Sequence, residues 1–116
     1  MTIRDMVEKI RVEAGSENLQ PTRGADLLRE TTALIGNLNT RIRETDMAYK
    51  KILLQCYAQE EKANRAKITA EVTQEYMDMR EAKDTKELAI EIIRSLKYYL
   101  NCWTEELKAS QNKYGN

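Results

Sequence analysis

A chain of 116 residues with nineteen basic and nineteen acidic side chains has no net charge, and so lacks the global positive field of a dedicated DNA-binding domain. It contains neither His nor Phe, which excludes Cys-His and Ser-His catalytic pairs and leaves aliphatic residues and Ala to form the buried surface. With charged residues at 33%, the composition is that of one all-α, bundle-like domain spanning residues 1–116.

Residues 2–14 form an amphipathic helix with Ile3, Met6, Val7 and Ile10 on one side, and Gly15 is placed to stop it. Gly15 to Gln20 reads as a loop, and Pro21 suits the first turn of the next helix but not its interior.

From Leu28 to Met77 apolar and small residues recur at alternating steps of three and four, through Thr31, Ile35, Leu38, Ile42, Thr45, Tyr49, Ile52, Cys56, Gln59, Ala63, Ala66, Ala70 and Thr73. That spacing puts them on one helical stripe and, repeated over about seven heptads, predicts coiled-coil-like packing. Gly36-Asn37 is the one weak point. The phase runs through it without slipping, and Gly36 falls on the outer face, at a cost of about 1 kcal/mol relative to Ala. The pattern therefore predicts one continuous helix over about 22–82, about 87 Å long at the standard rise.

Asp84-Thr85-Lys86-Glu87 has the form of a capping box, so a turn is expected there, followed by a final antiparallel helix over about 85–110. Its apolar face carries Ala89, Ile92, Ile93, Leu96, Tyr99, Leu100, Trp103 and Leu107, and residues 112–116 read as a frayed tail. Folding back at Lys83 sets Leu96 against Ala70, Leu100 against Ala66 and Trp103 against Ala63, small residues meeting large ones. Cys56 and Cys102 fall out of step in that register and are expected as free thiols. Tyr98, Tyr99 and Trp103 are expected in the core, with Met77 and Met79 filling packing gaps.

The final helix is too short to cover the first half of the rod. Leu28, Ile35, Leu38, Ile42, Tyr49 and Ile52 would then stay open, and an apolar stripe of that extent predicts a homo-oligomer joined through residues 28–56. Thr31, Thr45 and Gln59 would set the register of that seam.

No catalytic constellation is present. Glu60-Glu61, Glu105-Glu106 and Asp78 read as solvated helix faces, and the inward positions hold no carboxylates for a metal, so neither metal nor cofactor is expected. The least ordinary stretch is 60–68, where Lys62 and Arg65 flank the Ala stripe; in the expected hairpin Arg94, Lys97 and Tyr98 lie across from them. Two readings stand: a pocket in which the cations pair phosphates and the tyrosine stacks a base, or ordinary salt bridges to Glu60, Glu61, Glu91 and Glu105. No leader-like run or membrane span is visible, so the expected location is the cytoplasm.

Residues 62–68 (KANRAKI), 80–88 (REAKDTKEL) and 93–100 (IRSLKYYL), with the opening MTIRDMV and Pro21-Thr22-Arg23, resemble a family of small helical proteins encoded by bacteriophages and prophages. Members of that family are mostly of undefined function, so no site residue is carried over. The resemblance implies work inside the host cell, in one of two classes. One is counter-defence, by sequestering a nucleotide immune signal or by inhibiting a host defence protein. The other is an accessory role in phage replication or recombination that touches DNA, with a purely structural adaptor as a third possibility.

Overall fold

The computed structural model describes residues 1–114, with side chains through Gln111, and the chain is all-α: α1 (Ile3–Ala14), α2 (Pro21–Gln59), α3 (Ala63–Glu71) and α4 (Gln74–Tyr114). The protein is a helical bundle with no strand among the described residues.

The start of α1 is built from two reciprocal bonds. The Asp5 amide donates to the Thr2 hydroxyl at 3.1 Å and the Thr2 amide donates to the Asp5 carboxylate at 3.0 Å. The Thr2 amide holds the Asp5 carboxyl below its ordinary pKa, since a bond to the charged form favours it. Gly15 closes the helix, its amide reaching the Arg11 carbonyl at 3.1 Å.

Pro21 opens α2, where its missing amide hydrogen costs nothing. α2 does not continue to Ala82. It ends at Gln59, the chain turns through Glu60, Glu61 and Lys62, and α3 begins without a side-chain cap. Two anionic residues at a helix C-terminus oppose the macrodipole, which weakens any continuation at this point.

A second corner follows at Val72-Thr73. The Thr73 hydroxyl donates to the Ala70 carbonyl at 2.6 Å and accepts from the Tyr76 amide at 3.3 Å, joining the end of α3 to the start of α4. The reversal expected at Lys83 is therefore absent. Residues 84–87 lie inside α4, where Asp84 faces Arg80 at 3.9 Å and the buried Thr85 hydroxyl bonds back to the Glu81 carbonyl at 2.7 Å. Of the residues read as a frayed tail, 112–114 continue α4, and 115–116 lie outside the described residues.

The chain divides into two compact units. The first combines Met1–Ile35 with the part of α4 from Leu88 onward. Its buried side chains are Val7 and Ile10 from α1, Leu27 and Thr31 from α2, and Ala89, Ile92 and Leu96 from α4. Here α2 and α4 approach closely at Gly24: a Cβ at that position would lie 3.1 Å from Tyr99 Cε1 and 3.6 Å from Leu100 Cδ2. Tyr99 donates its hydroxyl to the Leu19 carbonyl and meets Trp103 edge-on at 6.4 Å.

The second unit, Gly36–Glu87, contains the rest of α2, all of α3 and the start of α4. Cys56, Ala66 and Ala70 form its buried cluster, with Tyr49, Ile52 and Leu53 packed around them. Leu38, Thr45, Met79, Ala82 and Thr85 are also buried. Tyr49 and Tyr76 pack with ring centroids 5.2 Å apart, and Lys83 lies 3.9 Å from Asp46. Ala66 and Ala70 thus pack on α2 of their own unit, and the expected pairing with Leu96 and Leu100 is replaced.

The stripe expected to stay open is covered within the single chain. Leu38 is 1% exposed, and Leu28, Ile35, Ile42, Tyr49 and Ile52 are half-buried. Thr31 and Thr45 are buried too, with their hydroxyls donating to the carbonyls of Leu27 at 2.7 Å and Arg41 at 2.8 Å. The premise for an oligomer seam along this face is thereby removed: Ala66 and Ala70 of α3 pack on its later part, and α4, which starts eleven residues earlier than expected, adds Tyr76 against Tyr49.

Candidate functional site

Two surface features stand out, one in each unit. In the second unit α2 has an outward apolar strip besides its buried face. Met47 is 57% exposed, Leu54 69% and Tyr57 44%, and their spacings of seven and three place them on one side of the helix. Arg43 and Lys50 lie in line with the strip, and Lys51 and Glu44 lie beside it, all exposed; Lys50 pairs with Asp46 at 2.9 Å. The strip therefore combines exposed apolar side chains with an excess of cations on one side of α2. Ile68 on α3 and Val72 just past its end, four residues apart, are exposed as well.

In the first unit a cleft of about 540 Å³ opens between α1 and α2. Ile10, Ala33 and Leu34 contribute apolar lining, and Glu13, Arg23 and Glu30 contribute a charged one. Arg23 joins the two helices: its Nε and Nη2 donate to both carboxylate oxygens of Glu13, the second at 2.8 Å, and its Nη1 lies 3.3 Å from Glu30. The fork geometry of guanidinium on carboxylate is the strong form of such a bond. It lowers the Glu13 pKa and raises that of Arg23, so the pair stays charged across the ordinary pH range.

The five residues expected to form a nucleotide pocket are divided between the units. Lys62 and Arg65 belong to the second, where they line a notch of about 250 Å³ together with Gln59, Glu60 and Glu61. Arg94, Lys97 and Tyr98 belong to the first and are exposed on α4, Tyr98 at 73%. The hairpin that brought them together required a turn at Lys83, and that turn does not exist. Tyr98 is also not a core residue, and Trp103 is 37% exposed; Tyr99 is half-buried.

Met79 is buried as a gap-filling residue, whereas Met77 is 54% exposed. Both cysteines are free thiols, Cys56 buried and Cys102 exposed. Burial raises the Tyr49 pKa, with Glu71 adding to the effect. Among the described residues no group of three Cys, Asp or Glu is gathered for a metal ion, and no helix is long and apolar enough to cross a membrane.

The outward strip is masked in the sequence because the inner stripe holds the regular steps of three and four along α2. Its signal was a second, sparser period in Met47, Leu54 and Tyr57 on the opposite side. No protein-family model, curated protein or solved structure matches the chain.

Proposed function

We propose that this chain is a non-catalytic helical binding protein of the phage and prophage type, which works in counter-defence by occupying a host protein. The observation that carries this reading is the exposed Met47, Leu54 and Tyr57 strip with Arg43, Lys50 and Lys51 beside it. An apolar helix face with a cationic border suits an amphipathic helix whose own flanks are acidic. The resemblance of residues 62–68, 80–88 and 93–100 to phage-encoded proteins supports the setting, and the host cytoplasm is the corresponding location.

Self-association becomes a competing use of the same strip. Nucleotide sequestration has less support, because Glu60 and Glu61 share the notch with Lys62 and Arg65 and oppose a phosphate there. A photo-crosslinking residue in place of Tyr57, expressed in host cells, should capture one partner that then binds the purified protein, and Leu54→Glu should weaken that binding more than about tenfold. Crosslinks only to a second copy, or full biological activity of Leu54→Glu, would reject the reading. Single-stranded DNA retained at low salt and lost as salt rises would replace it with the recombination class.

A further inference from the structure

The α1–α2 cleft lies in the first unit and takes no part in the strip on the second, so a role for it goes beyond the binding function proposed above. Its volume of about 540 Å³ falls inside the range of small-molecule sites. Met6, Ile10, Ala33 and Leu34 supply an apolar wall, and Met1 adds a flexible thioether chain at 80% exposure. Such side chains adapt to the shape of an apolar guest.

The charges of the lining decide which guest fits. Glu13 and Glu30 are both engaged by Arg23, which spends its guanidinium on them. A cationic ligand would have to displace Arg23 from a two-point bond. Lys9 lies in the same lining; it acts on Glu13 through space, but among the described residues it makes no ion pair within 4.0 Å. Arg23 thus takes the direct bonds to both carboxylates, and Lys9 is left as a lining cation next to apolar surface whose ammonium is not held in a contact pair.

We infer that this cleft binds a small amphiphile with a single anionic group, Lys9 pairing the anion while Met6, Ile10, Ala33 and Leu34 cover the apolar body. The charge on Lys9 sets the preference for an acid over an alcohol or amine of equal chain length, and the apolar wall sets the affinity common to all three.

Titration calorimetry on the intact protein with decanoate, decanol and decylammonium, each below its micellar concentration, tests this. Decanoate should saturate one site per chain and bind at least about tenfold tighter than the other two. Lys9→Met should remove that preference and leave decanol binding unchanged, and Lys9→Arg should keep it. Ala33→Trp, at an exposed position, should fill the cleft and abolish binding of all three while the far-ultraviolet circular dichroism is retained. Overturning results are the absence of saturation by decanoate, decanoate affinity unchanged in Lys9→Met, or binding that survives Ala33→Trp. Because Leu54→Glu lies in the other unit, it should leave decanoate binding intact, which separates failure of this inference from failure of the proposed function.

Discussion

Each unit has its own kind of internal contact. The first buries Val7, Ile10, Leu27, Ile92 and Leu96 and adds directional links: the Arg23–Glu13 fork, the Tyr99 hydroxyl on Leu19 and the capping box at Thr2. The second has Leu38 as its large aliphatic and otherwise buries Cys56, Ala66, Ala70, Met79, Ala82 and two threonines. The second unit has its own directional contacts in the Tyr49–Tyr76 pair and the Thr73 bonds, so the contrast lies in the size of the fully buried side chains, large aliphatics in the first unit and mostly small or soft ones in the second.

The largest test of this contrast is truncation. Leu27→Ala or Leu96→Ala should cost about 2–5 kcal/mol, read from the urea midpoint, and Cys56→Ala in the second unit should cost only about 1 kcal/mol. Equal losses would erase the distinction.

Two glycines of α2 sharpen it with effects of opposite sign. Gly24→Ala places a methyl 3.1 Å from Tyr99, whose ring is tied by its hydroxyl to Leu19, and should destabilise by about 1–2 kcal/mol. At Gly36 a Cβ meets nothing within 4 Å, so Gly36→Ala should stabilise by about 1 kcal/mol through helix propensity. Thermal melts of the two variants should move in opposite directions.

Tyr99→Phe removes the hydroxyl bond to Leu19 and should cost about 1 kcal/mol, again confined to the first unit. The smallest effect is on pH dependence. The Glu13 pKa is lower in the folded chain than in the unfolded one, so its stabilisation is complete above the unfolded value and is lost as pH falls through the folded value. Glu13→Gln should flatten part of the acid limb of a Tm profile between pH 7 and pH 3, modestly, since the pair is partly exposed.

The all-α class and the chain's capacity to form long amphipathic helices were legible because apolar periodicity reports them directly. The topology was not, because Ala63, Ala66 and Ala70 continue the heptad phase of α2 even though they belong to a separate helix. A period does not distinguish a helix that continues from one that restarts in phase, and neither Gly nor Pro marks either corner. Thr73 was the available signal, a capping residue hidden within the apolar stripe. Asp84-Thr85-Lys86-Glu87 misled in the opposite sense, since Asp and Glu three apart also occur inside helices. The turn placed there produced both the open seam and the five-residue pocket, so one misplaced reversal accounts for most of what the structure corrects. The outward strip had only the sparse period of Met47, Leu54 and Tyr57 as its signal, and the α1–α2 cleft depends on how the two helices pack, which no period reports.

The placement of the thiols and the single Trp gives the chain its own optical instrumentation. Trp103 emits from the first unit, next to the reactive Cys102, while Cys56 is sealed at 7% exposure inside the second. A thiol reagent modifies Cys102 at once and Cys56 only when its surroundings open, so stopped-flow labelling and tryptophan emission follow the two halves separately, with no foreign dye.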